Sequence, residues 1–282
     1  MKRSDQKLSL LFSFYLTPDF KENVANKMHF ECLKEYSSMF KDATFVILTD
    51  DVNDKESIAE VEKMFIECGY MNNCRFMVEQ NNPFCESYVF KKYLVDRLYD
   101  YTSPVLFAHN KGVTNVKKSE LSINDILMWI YGLYSLSLDY SAEAFEFMCM
   151  GFWRSIFFGG FMSIEDTENS DLKYLPSYNG TIFIINPGNL IEYINERQIE
   201  IPPIGNRWYT EHFPRTILLN EKRGQESLKA TSHNQMYFYA YYPEQLYKGK
   251  YGGVQDLCKF MFGDDFPEFQ HRFETAMHSI GR

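Results

Sequence analysis

Short apolar runs alternate with stretches of helical periodicity through the first part of the chain. Leu8–Leu16, LSLLFSFYL, is a near-continuous apolar run of the kind found in strands buried on both faces, and Thr17-Pro18-Asp19 closes it with turn chemistry. From Lys21 to Phe40 the positions Val24, Met28, Leu33, Tyr36 and Phe40 recur at roughly helical spacing. Ala43–Thr49, ATFVILT, predicts a second strand ending in Asp50-Asp51. A helix over Lys55–Cys68 and a strand over Cys74–Glu79 follow. Ser87–Tyr101 carries Val89, Tyr93, Leu94, Leu98 and Tyr101 on one helical face, and Val105–Ala108 predicts a fourth strand. Apolar strands separated by helices belong in a parallel sheet covered on both faces, so the expectation is an α/β fold with a mainly parallel central sheet flanked by helices.

The second half is less regular. Ile123–Leu138 predicts a helix rich in aromatics (Trp129, Tyr131, Tyr134), and Ala142–Phe157 predicts another. A strand over Thr181–Ile185 leads to Pro187-Gly188, a helix opens near Asn189, and Ile201-Pro202-Pro203 reads as a rigid linker. From about Gln225 the aromatics cluster without a clear period. The expected division is a main domain over 1–224 and a helical or irregular, aromatic-rich extension over 225–282 packed on it.

Composition narrows the classes. With 282 residues and 45% hydrophobic content the chain can bury a sizeable core, which excludes global disorder. A net charge of −9 without a basic block disfavours binding to a nucleic-acid backbone. Six cysteines show no CxxC pair or zinc spacing, and MKRSDQKL lacks the apolar core of a signal peptide. Reduced thiols in the cytoplasm are the simplest expectation. Phe147–Ile164 approaches membrane-spanning length, but Arg154 near its middle would cost about 2.5–3.5 kcal/mol on insertion scales. A buried helix running into a strand is expected there, with peripheral contact at the inner face of a membrane left open.

No Walker loop, no GxGxxG after the first strand, no GxSxG and no HExxH is present. What remains is polar chemistry at strand ends: Thr17-Pro18-Asp19, Thr49-Asp50-Asp51, Glu79-Gln80-Asn81-Asn82 and His109-Asn110-Lys111-Gly112. In a parallel sheet these four ends share one edge, where α/β proteins bind ligands. Carboxylates there can accept hydrogen bonds from a base or ribose, and Lys111 can neutralise phosphate. The same residue types also end strands simply as turns.

The element order, then FAHNKGV, the aromatic helix with LMWIYGLY and the later YNGTIFIINPGNL, resembles GT-A-type glycosyltransferases. Within that class it is similar to a bacterial polysaccharide-associated group with H-x-K-G after the fourth strand, a Y-x-G-x-F/W strand and an R-x-x-x-E segment. Here these are His109–Gly112, Tyr178–Phe183 and Arg207–Glu211. The resemblance spans roughly Leu8–Leu219. It implies transfer of a sugar from a nucleotide-activated donor to a glycan or lipid-linked acceptor in surface polysaccharide synthesis.

It also implies Thr17, Asp50, Asp51, His109, Asn110, Lys111 and Gly112 on the donor side and Tyr178, Asn179, Trp208 and Glu211 on the acceptor side. Lys111 would face the leaving diphosphate; of the two carboxylate candidates for general base, Glu211 beside Trp208 and Tyr209 and Glu165-Asp166 after GGFMSI, Glu211 is preferred. The Asp-x-Asp by which most GT-A enzymes hold a divalent ion is missing. No metal ligand is assigned, and a lysine can supply the charge instead; Mn or Mg as a cofactor stays open. Two other readings remain: a non-catalytic glycan- or nucleotide-binding module of the same fold, and a nucleotidyltransferase, which typically needs acidic metal ligands not evident here.

Overall fold

β1 (Leu8–Tyr15) runs through the middle of the sheet and is buried along all but its last residue. In the computed structural model the chain is described over residues 7–70, 73–110, 112–113, 122–139, 158–160, 163–166, 174–177, 181–219 and 254–282. β2 (Phe40–Thr49), β3 (Cys74–Gln80) and β4 (Val105–His109) complete a parallel set in the order β3-β2-β1-β4. Four expected strands are thus neighbours in one sheet. β5 (Phe158–Gly160) and the antiparallel β8 (Phe183–Ile185) extend it beyond β4, giving the order β3-β2-β1-β4-β8-β5. β6 (Ser163–Asp166) and β7 (Tyr174–Ser177) pair separately as an antiparallel ribbon.

Helices cover both faces. α1 (Val24–Glu35), α2 (Lys55–Phe65), α4 (Ile123–Asp139), α7 (Val254–Phe262) and α8 (Phe266–Ser279) pack on one. α3 (Glu86–Tyr93), α5 (Pro187–Arg197) and α6 (Tyr209–Leu219) pack on the other. Alternation sorts β2 between the two cores: Phe45 and Ile47 point to the first, Val46 and Leu48 to the second. Burying each large side chain of this kind contributes about 1.5–3 kcal/mol.

Several boundaries differ from expectation, three of them with a clear local cause. The helix expected over Lys21–Phe40 is α1 alone, because a short 3₁₀ turn (Ser37–Met39) ends it and Phe40 begins β2. The expected helix to Tyr101 breaks after α3: Leu94 caps it at a φ of −117°, Val95–Asp100 continues as a 3₁₀ segment, and Arg97 (φ −129°) leaves helical geometry. The strand expected from Thr181 starts at Phe183, since Thr181 takes a positive φ of 50°. The helix expected over Ala142–Phe157 lies outside the described residues.

α7 and α8, expected as part of an extension, pack on α1 and α4 in the first core. A buried polar network clamps them: Arg272 of α8 donates to Glu35 at 3.0 Å and to Asp139 at 2.7 Å, while Tyr36 donates to Asp139 at 2.8 Å and Tyr131 to Glu35 at 2.8 Å. Among the described residues, no helix is long and apolar enough to cross a membrane.

Candidate site at the carboxyl edge of the sheet

The chain runs outward from β1 to β2 to β3 and returns to the other side of β1 as β4, so the topological switch point lies between β1 and β4. Crevices outside such points are the usual ligand sites of open α/β sheets. Asn110, the first residue after β4, ties this point together. It is buried, its Oδ1 accepts the Tyr15 amide at 2.8 Å, and its Nδ2 donates to the Tyr15 carbonyl (2.9 Å) and to Asn26 Oδ1 (3.0 Å). Both amide hydrogens are thereby engaged within the fold.

Two further asparagines complete the arrangement. Asn23 caps α1 by accepting the Ala25 amide at 3.1 Å, and its own amide group reaches the Val113 carbonyl at 3.1 Å. Asn26 donates to the Phe20 carbonyl at 3.1 Å. The residues on either side of Lys111 are therefore fastened to β1 and to the start of α1, whereas Lys111 itself lies outside the described residues. Gly112 has a φ of 87°, a conformation glycine adopts without strain, and a Cβ built there would come within 3.1 Å of Ile126 Cγ2. Its close approach is thus to α4. His109 Nε2 meets Thr181 Oγ1 at 2.6 Å, joining the end of β4 to the turn before β8.

Across β1 lies a second polar group. Tyr15 Oη donates to Asp50 Oδ2 at 2.9 Å, and Asn81, just after β3, donates to Asp50 Oδ1 at 2.9 Å. Gln80 holds the Asp50 carbonyl at 3.0 Å. Burial, and then the bond to Asp50, pushes the Tyr15 phenol above its ordinary pKa, so it remains a hydrogen-bond donor at neutral pH. Asp51 instead accepts the Asn53 amide at 2.8 Å in a local turn. Thr17 is 8% exposed, and among the described residues neither its hydroxyl oxygen nor Asn81 Oδ1 has a hydrogen-bond partner.

The segment that carries Arg207 and Trp208 into α6, with Glu211 in its first turn, is fastened to the head of α3. Ser87 Oγ donates to the Arg207 carbonyl at 2.6 Å and accepts the Thr210 amide at 3.1 Å, with both side chains fully buried. Phe90 against Phe213 (centroids 5.1 Å apart) and Tyr209 (6.3 Å) seals the helix pair. Cys85, at the head of α3, has its thiol pushed up first by burial and then by Glu86; Arg207 pulls it down and Asp50 pushes it up. Asp50 and Arg207 thus act on the same thiol from two elements. Arg207 stacks on Trp208 at 5.5 Å, and Trp208 is 51% exposed. Glu211 sits half-buried in the first turn of α6. Tyr178 and Asn179 lie outside the described residues.

Tyr15, Asn23 and Asn26 escape a reading by pattern. Tyr15 closes an apolar run and looks like core; the signal it offers is a polar tip at the last position of a central strand. Among the described residues, no group of three His, Cys, Asp or Glu is placed to hold a metal ion. A cavity of about 400 Å³ opens at the opposite, amino edge of the sheet, lined by Ser9, Lys41, Arg75, Arg97, Tyr101 and Thr102, and contains none of the strand-end residues named above. No known protein family, curated protein or solved structure matches the chain.

Proposed function

We propose that the chain is a glycosyltransferase that moves a sugar from a nucleotide-activated donor to a glycan or lipid-linked acceptor. The observation that carries this reading is the convergence of Tyr15, Asp50 and Asn81 at the carboxyl edge of three adjacent parallel strands. A carboxylate held by a tyrosine and an asparagine is an acceptor for ribose or base hydroxyl and amine groups. Thr17 and Asn81 add buried oxygens that lack partners among the described residues at the same edge, and a buried oxygen left unpaired costs about 1–3 kcal/mol, which favours a polar ligand there.

In this reading Lys111 stands beside the leaving diphosphate and stabilises the charge that builds as the glycosidic bond breaks. Glu211, on a helix fixed through Ser87, takes the proton of the acceptor hydroxyl, and the exposed face of Trp208 receives an acceptor sugar. His109 is drawn to the turn before β8, so its part is to position the Lys111 segment.

Thermal-shift titration with nucleoside diphosphates and nucleotide sugars, with and without manganese, tests the reading. A ligand at one hundred times its dissociation constant stabilises by about 2.7 kcal/mol. If no nucleotide or nucleotide sugar at millimolar concentration raises the melting temperature, the donor site is refuted. Binding without sugar transfer to any acceptor would leave a binding module in place of an enzyme.

A further inference from the structure

β3 is the last strand of the sheet on its side among the described residues. Asn73 gives its carbonyl to the Ala43 amide, and Asn81 gives its amide to the Thr49 carbonyl. In a parallel ladder both backbone groups of a residue point the same way and alternate along the strand. Residues 73, 75, 77, 79 and 81 therefore face β2, and Cys74, Phe76, Val78 and Gln80 present their N–H and C=O groups outward. Among the described residues no strand pairs with that side. Edges of this kind are usually blunted by charge, proline or a covering helix. Here Met77 and Val78 are exposed at 38% and 36%.

The side chains of β3 are self-complementary. In CRFMVEQ a two-fold axis through Met77 sets Arg75 opposite Glu79 twice, Phe76 opposite Val78, and Cys74 opposite Gln80. This register also fits the backbone, because the outward-facing residues then meet each other as hydrogen-bonded pairs, making about eight new bonds in all. Arg75 and Glu79 meet at the non-hydrogen-bonded positions, where side chains come closest. A two-residue slip, the smallest that keeps outward-facing residues opposite each other, would set Met77 opposite Glu79 and Arg75 opposite Asn81.

Both charged groups are anchored within the chain. Arg75 Nε is fixed on Thr44 Oγ1 at 2.7 Å, and its terminal nitrogens make no hydrogen bond or ion pair among the described residues. Glu79 is oriented by Lys92 at 2.6 Å and Tyr88 at 3.2 Å.

We infer that β3 pairs antiparallel with β3 of a second copy of this chain, joining two sheets across a two-fold axis at Met77. This pairing is independent of what the carboxyl edge binds. The net charge of −9 on each copy opposes association, and the two Arg75–Glu79 contacts offset that repulsion where the copies touch.

Light scattering and sedimentation of the full chain over a concentration series test it. The mass should rise from 33.4 kDa towards twice that value. Val78→Pro deletes an outward N–H and leaves the β2 ladder intact, so it should weaken association about tenfold or more with an unchanged circular-dichroism spectrum. Arg75→Glu should do the same by placing like charges opposite each other. Met77→Cys should form an intermolecular disulfide under mild oxidation far faster than the wild-type chain, because a non-hydrogen-bonded pair on the axis has Cα atoms about 4.5 Å apart. A wild-type chain that stays monomeric at hundreds of micromolar overturns the inference. So does a dimer that tolerates both edge substitutions and does not cross-link through Met77→Cys.

Discussion

Tyr15 Oη donates to Asp50 Oδ2 across 2.9 Å, so the last residue of β1 and the first residue after β2 are bonded side chain to side chain. Asp50 takes its second bond from Asn81 after β3. Three neighbouring strand ends are thereby linked through one carboxylate. Tyr15→Phe should lower stability by only about 0.5–1.5 kcal/mol, since the bond is exposed to solvent on one side. It should reduce the thermal shift given by a bound nucleotide much more than it reduces the melting temperature of the free protein. Paired thermal-shift curves with and without nucleotide read both quantities.

Asn110→Ala should be far more damaging than its single small side chain suggests. It leaves the amide and carbonyl of Tyr15 without their partners at the switch point. Each unpaired buried backbone group costs about 1–3 kcal/mol, so a loss of about 2–4 kcal/mol is expected in urea denaturation. Asn110→Asp should not rescue it, because a carboxylate cannot donate to the Tyr15 carbonyl or to Asn26.

Arg272→Met should destabilise by about 3–5 kcal/mol, the usual result of stranding a buried partner charge. The side chain of Asp139 is 0% exposed and loses its cation in this variant. Adding Asp139→Asn should recover part of the loss, which urea midpoints of the single and double variants would show. Equal midpoints for wild type and Arg272→Met would mean that apolar packing alone holds α8 on α1 and α4.

Stability should fall steeply at alkaline pH. Burial pushes the Cys68 and Cys258 thiols from 9.0 to about 12, and the Tyr101 phenol from 10.0 to about 12. In the unfolded chain these groups lose their protons near pH 9 to 10, while in the fold they keep them to near pH 12. The unfolded state then binds fewer protons, so stability is at its full value below about pH 9 and drops as pH rises towards 12. For one such group, every pH unit climbed between those two values removes about 1.4 kcal/mol. A urea midpoint constant from pH 8 to pH 11 would contradict this.

Lys111→Ala should lower turnover strongly with a confirmed donor and shift the urea midpoint of the ligand-free protein by no more than about 0.5 kcal/mol, the usual range for a surface substitution. Lys111→Arg should recover part of the rate, limited by the different shape of the guanidinium group. Near-normal transfer by Lys111→Ala would reduce the HNKG segment to a turn.

Periodicity along the chain was enough to place the four parallel strands and the helices between them, because burial on one or both faces imposes a period on local sequence. The polar residues at the strand ends were legible for the same reason: apolar runs stop where the sheet ends. The direction each polar side chain takes was not. Asn110 and Asp50 both follow a strand, yet one turns inward to bind β1 and the other remains exposed. That difference depends on the neighbour supplied by the order β3-β2-β1-β4, a long-range choice with no local pattern. The Arg272–Glu35 pair, separated by 237 positions, and the partnership of Ser87 with Thr210 across 123 are of the same kind. Charges and hydroxyls acquire partners only when packing brings distant elements together, so burial could be read from sequence while the pairing that makes burial tolerable was decided by the tertiary structure.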